Sequence, residues 1–207
     1  MTGMSSTLDH PRRRAWLRAG AAALAALTLP LRAQIRVEGG HVFPAVADIG
    51  GQTLQLNGAG YRAVAWFKGY AAALYLLRKT TDVDDALAQT GPKRIQMKML
   101  VDVSTQEFVK AFGKGVTRNT PAEQLPALRE RMRQFDALVG ALGQVRRGDL
   151  VDLDFLPGVG LVFSYNGRAQ GEPIPGADLY AALLRIFVGQ RPVDKELKAG
   201  MLGGPLA

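Results

Sequence analysis

Cysteine is absent from the 207-residue chain, which removes disulfides, thiolate nucleophiles and cysteine-ligated zinc from consideration. Histidine is scarce: only His10 and His41 occur, too few for a multi-histidine metal centre or a metalloprotease helix. Aromatic residues make up 7% and charged residues 21% of the chain. Against these shortages stand 47% hydrophobic residues, the composition of a globular domain with ample material for one core. No cofactor and no metal is expected.

The formal net charge is +8, which invites a nucleic-acid partner until its location is traced. Arg12, Arg13 and Arg14 precede Ala15-Trp16-Leu17-Arg18, and an uncharged run rich in alanine and leucine follows over 19–29. That run is shorter than the roughly 20 residues a membrane-spanning helix needs. It ends at Pro30 and a small-residue site near Ala33-Gln34, the pattern of a signal peptide. Arg13-Arg14-Ala15-Trp16-Leu17-Arg18 resembles the twin-arginine export motif, which serves folded proteins. Residues 1–33 are therefore expected to be a removable address and 34–207 a single domain exported to a bacterial periplasm, meeting the membrane only through the signal segment before cleavage. Without 1–33 the chain keeps 21 basic and 17 acidic residues, a net +4, and no nucleic acid is expected as a partner. Arg129, Arg131, Arg133, Arg146 and Arg147, interrupted by Glu130 and Asp136, read as a solvated helix face.

Gly39-Gly40, Gly50-Gly51 and Asn57-Gly58 cut 34–60 into hairpin-sized pieces. The stretch 62–77, with Trp66, Phe67, Tyr70, Leu74 and Tyr75, predicts one long or bent strand. Asp82 opens a short helix over 83–89. Ile95, Met97, Met99 and Val101 then alternate with Arg94 and Lys98, a strand with one wet face. Ser104-Thr105-Gln106-Glu107 is a capping box for a helix to about Gly115. Pro121 opens a longer helix, with Leu125, Leu128, Met132, Phe135, Leu138, Val139 and Leu142 on its apolar side and Gly143 as its stop. Val151, Leu153 and Phe155 alternate with Asp152 and Asp154, and Asn166-Gly167 marks a type I′ hairpin. Helices over 178–188 and 194–201 end the chain. Strands on both sides of a helical middle predict an α+β domain, an antiparallel sheet with helices on one face.

Gly58-Ala59-Gly60-Tyr61-Arg62-Ala63 fits the loose dinucleotide fingerprint, with Asp82 about 20 residues on. That fingerprint has to open a helix. Here it runs into aromatic, strand-like sequence with no βαβ alternation, so no nicotinamide or flavin is expected.

An arginine between an apolar strand and an aromatic run costs several kcal/mol to bury alone. Arg62 must therefore reach water or meet an anion, and its planar fork suits a carboxylate or phenolate. Alternatively it bridges to Asp152 or Asp154, with Tyr70 as ordinary core.

Leu56-Asn57-Gly58-Ala59-Gly60-Tyr61-Arg62 is followed by Phe67-Lys68-Gly69-Tyr70, which leads into Ala73-Leu74-Tyr75-Leu76. Gly91-Pro92-Lys93-Arg94-Ile95, residues 152–160, Asn166-Gly167 and Phe187-Val188-Gly189 before Pro192 complete the series. In this order they resemble the chalcone isomerase-like superfamily, specifically its bacterial, exported branch, over residues 42–203. The resemblance implies an open-faced β-sandwich, a large antiparallel sheet packed on one face by helices, with the ligand cleft between. It also implies that Arg62 faces the cleft. Tyr70 falls where plant fatty-acid-binding members pair a tyrosine with that arginine to hold a carboxylate. Lys68 has a family counterpart too, although an outward-facing strand lysine is its plainer reading.

In true chalcone isomerases the arginine stabilises developing negative charge while a tyrosine and a threonine polarise the ketone through ordered water, an oxyanion logic. In this sequence the threonine after the lysine is replaced by Tyr70. The helix tyrosine falls near Phe108, and the serine or threonine at the end of the cleft falls at about Ile186. Arg62 is then the one catalytic candidate, and the balance is against catalysis. Apolar Phe108 and Ile186 suit an aliphatic tail, each buried methylene contributing about 0.8 kcal/mol. The expectation is a noncatalytic binder of a fatty acid or similar apolar anion, with Arg62 on the head group, Tyr70 as hydrogen-bond donor, and Phe108 and Ile186 along the tail. Two alternatives stand beside it: an intramolecular lyase of chalcone-to-flavanone type on an unknown substrate, and a structural or interaction protein of the cell envelope whose cleft its own side chains fill. The sequence leaves the oligomeric state open.

Overall fold

Two tight hairpins lead into the main sheet. In the computed structural model, which describes residues 34–37, 40–64 and 67–206, β1 (Ile35–Arg36) pairs with β2 (Val42–Phe43). The expected signal segment 1–33 and Trp66 lie outside the described residues. β3 (Val46–Ile49) turns through Gly50-Gly51 into β4 (Gln52–Val64), which returns as β5 (Phe67–Leu76). The middle of the chain holds α1 (Val83–Ala88), β6 (Lys93–Met99), β7 (Val103–Ser104), α2 (Thr105–Asn119), α3 (Leu125–Gly140) and β8 (Gln144–Val145). β9 (Leu150–Leu156), β10 (Gly160–Tyr165) and β11 (Arg168–Ala169) follow, and α4 (Ala177–Val188) and α5 (Lys195–Met201) close the chain. The sheet has seven strands in the order β11-β10-β9-β6-β5-β4-β3, every neighbouring pair antiparallel. With helices packed on one face, this is the expected α+β open-faced sandwich.

Local rules explain most boundaries. Ser104 Oγ accepts from the Glu107 N–H at 3.2 Å and caps α2, Asp82 caps α1, and Asn166-Gly167 turns with positive φ at both residues, as a type I′ hairpin requires. Three expectations are corrected. The stretch 62–77 is not one strand but parts of two, because the chain reverses between Val64 and Phe67, which are register partners. Asn57-Gly58 is not a turn but a bulge inside β4, where the register slips between Leu56 and Gly58. The helix after Ser104 runs past Gly115 to Asn119, since Gly115 packs against α4 and is not free to end it.

The period of two divides β5. Ala72, Leu74 and Leu76 join the core beneath the helices, while Ala71, Ala73 and Tyr75 face the other way, toward Phe43, Leu54 and Leu56. On that second face β6 is not the wet strand that its alternation suggested, and β9 beside it is covered too. Asp152 and Asp154 are only 6% and 7% exposed. Arg94 Nε and Nη2 each donate to Asp154 at 2.6 Å, and Gln96 Nε2 donates to Asp152 at 2.7 Å. Paired charges of opposite sign allow these carboxylates to leave water.

Candidate functional site

The glycine-rich motif in β4 has a packing explanation. A β-carbon on Gly58 would lie 2.1 Å from the Gly200 carbonyl oxygen, and one on Gly60 would lie 2.9 Å from Leu197 Cα. Helix α5 therefore rests directly on the backbone of β4, where only glycine fits. Asn57, 6% exposed, ties the assembly together. Its Nδ2 donates to the carbonyls of Met201 at 2.7 Å and Thr80 at 3.0 Å, while its Oδ1 accepts from the Thr80 N–H at 2.8 Å. The motif that imitates a dinucleotide fingerprint is thus the seat of the last helix.

The same strand carries Arg62 to the end of that seat. Gly58, Gly60 and Arg62 are register partners of Leu74, Ala72 and Tyr70, which places Arg62 and Tyr70 on the helix-bearing face. Directly after Arg62 the β4–β5 register slips again. There the Ala63 N–H donates to Asp194 Oδ2 at 3.2 Å, and Asp194 Oδ1 accepts from the N–H groups of Glu196 and Leu197 that begin α5. Asp194 thereby fixes both the bulge and the helix start; the sequence offered it only as a helix opener. Arg62 is half-buried and donates to the Ala63 carbonyl at 2.7 Å. Among the described residues it makes no ion pair. The alternative bridge to Asp152 or Asp154 does not form, because Arg94 takes those carboxylates on the opposite face.

Tyr70 is half-buried and lines an apolar cavity of about 80 Å³ between the sheet and the helices. Burial pushes its phenol far above the usual tyrosine range; Arg62 pulls it down by less, and Asp194 adds to the rise. It is a neutral donor throughout the physiological range. Phe108 and Ile186 line the same cavity, so three of the four sequence candidates share one wall, with Arg62 beside it as Tyr70's partner. Apart from Tyr70 the lining is apolar, including Phe112, Leu183 and Phe187. None of these last three was a site candidate in the sequence. Phe108 with Phe112, and Leu183 with Ile186 and Phe187, stand at helical three- and four-residue spacing on α2 and α4 and could have been found that way. Lys68 is exposed, with its ammonium 3.8 Å from the centre of the Tyr61 ring.

Among the described residues no three His, Asp or Glu side chains are grouped to hold a metal ion, and no helix is long and apolar enough to cross a membrane. On α3, Arg131 pairs with Asp178 and Arg133 with Glu130.

A seven-stranded antiparallel sheet with an apolar cavity under its helices and an arginine–tyrosine pair at one side defines an α+β domain with an internal cleft. The chain belongs to the chalcone isomerase-like family, whose model matches residues 36–203. It is similar in fold to the crystal structure of a fatty-acid binding protein of Arabidopsis thaliana, at 18% identity and a TM-score of 0.63, over 82% of this chain and 96% of that one. No curated protein matches the sequence.

Proposed function

We propose that the chain is an exported, noncatalytic binder of a fatty acid or similar apolar anion, held by Arg62 and Tyr70 at the head and by Phe108 and Ile186 along the tail. The observation that carries this reading is the half-buried Arg62, without an ion-pair partner among the described residues, opposite a neutral phenol that lines an apolar cavity. Arg62 offers the charge and Tyr70 the O–H hydrogen bond that a carboxylate accepts. The fatty-acid binding protein of similar fold supports the ligand class, and the arginine-led N-terminal segment supports export to a periplasm. Among the described residues at the site, Tyr70 stays protonated and Asp194 is engaged by three backbone N–H groups, which argues against either as a base.

A cavity of about 80 Å³ is well below the roughly 300 Å³ at the lower end of small-molecule sites. An acyl chain therefore needs the side chains that line the cavity to give way. The same tightness favours a second reading, an envelope interaction protein whose cleft its own side chains fill. Native mass spectrometry of the protein purified from the periplasm, followed by denaturing extraction, separates the two. A co-purifying fatty acid that is lost in Arg62→Ala supports the binder, whereas a ligand-free mass that also takes up no added laurate leaves the second reading.

A further inference from the structure

A different cleft, bounded by α1, the α2–α3 connection and the end of α4, has about 450 Å³ and is lined by Arg118, Arg185 and Arg191. We propose that it is a binding site for a phosphate group, carried by a small phosphate ester or by a lipid head. Among the described residues none of the three arginines makes an ion pair. The one carboxylate in the lining is Asp84, so the cleft keeps an excess of two positive charges, the complement of a phosphomonoester dianion. Its volume lies within the range of about 300–1,000 Å³ usual for small-molecule sites.

Arg118 and Arg185 stand in the last turns of their helices, where cations also serve the negative end of the helix dipole. For α4 that role is shared, since Lys198 Nζ donates to the Gly189 carbonyl just past the helix end at 2.9 Å. The helix ends do not explain Arg191, which lies beyond α4 and is exposed in the lining of the cleft. Asn119 makes the arrangement firm: its side chain accepts from the Arg191 N–H at 3.0 Å and donates to the Arg191 carbonyl at 2.9 Å, fixing the loop that carries the third guanidinium against the end of α2.

The test is titration calorimetry of the full chain with inorganic phosphate and with glycerol 3-phosphate, beside sedimentation with phosphatidic acid vesicles. The expected result is saturable binding of one phosphate per chain in at least one arm, weakened about tenfold by Arg191→Gln or Arg185→Gln. Arg133→Gln removes the same charge outside the cleft and should change nothing. Binding confined to the vesicles assigns the phosphate to a lipid head; binding of the soluble ester alone assigns it to a small metabolite. No saturable binding in any arm, or an equal loss in Arg133→Gln, overturns the proposal. Arg191 is exposed, so its substitution leaves the fold intact.

Discussion

Arg62 and Tyr70 face one another across β4 and β5, and the arginine's field does not offset the burial that keeps the Tyr70 phenol protonated. One partner therefore carries a permanent charge and the other a permanent donor hydrogen.

Removing the charge should separate ligands by head group. Arg62→Ala is expected to weaken laurate binding tenfold or more, since a hydrogen bond to a charged group is worth about 1.5–3 kcal/mol, and to leave methyl laurate nearly unchanged. Tyr70→Phe should cost the acid about fivefold. Fluorescence displacement with both ligands checks this; equal losses for acid and ester would remove the head-group role of Arg62.

Ligand size should follow the contact between α2 and α4. A β-carbon on Gly115 would lie 2.8 Å from Ile186 Cγ2, so Gly115→Ala drives Ile186 into the cavity. The expected cost is about 1–3 kcal/mol of stability from overpacking, with a shorter preferred chain length. Ile186→Ala should do the reverse, accepting longer or bulkier tails at about 2–5 kcal/mol. Urea denaturation and an acyl-length series provide both readings.

The buried pair on the other face gives a stability test independent of any ligand. Asp154→Ala takes both carboxylate hydrogen bonds from Arg94 and leaves it only Asp152, 3.8 Å away, so the loss should approach that of a broken buried pair, about 3–5 kcal/mol. Replacing both residues by leucine should cost less than the single change, which a double-mutant cycle in urea would show.

Acid should loosen the N-terminal hairpin. Burial, and then Lys98, hold His41 below the usual histidine value of 6.5, while Gln96 and Asp152 act weakly in the other direction. The unfolded chain therefore binds the proton first as pH falls. The stability His41 contributes is whole above about 6.5 and is lost as pH drops through its lower folded-state value. Asp136 and Asp154, raised by burial, act with opposite sign. The readout is thus the difference between the native chain and His41→Gln in thermal unfolding from pH 7 to pH 5, where the variant should give the flatter curve.

The architecture was legible wherever local chemistry decides it: the Ser104 cap, the Asn166-Gly167 turn, the alternation through Leu153 and Phe155. It failed where two distant segments settle the matter. Nothing near Asn57 announces that Met201 will receive its hydrogen bond, so a bulge read as a turn. The alternation of Arg94 and Lys98 read as a wet face because the partner that covers Arg94, Asp154, lies 60 positions away on another strand. At the site, Arg62 and Tyr70 stood out as polar groups in apolar surroundings, whereas Leu183 and Phe187 look like any core residue until helix α4 is laid on the sheet.

The seating of α5 on β4 also dictates when the domain can be finished. Asn57 and Met201 are 144 positions apart, and contacts of such separation close late and slowly. During synthesis β4 emerges early, yet its glycine surface stays bare until α5 has left the ribosome. A chain cut short before α5 would carry an open wound along β4, so this face of the fold closes only once residues 195–201 have been made.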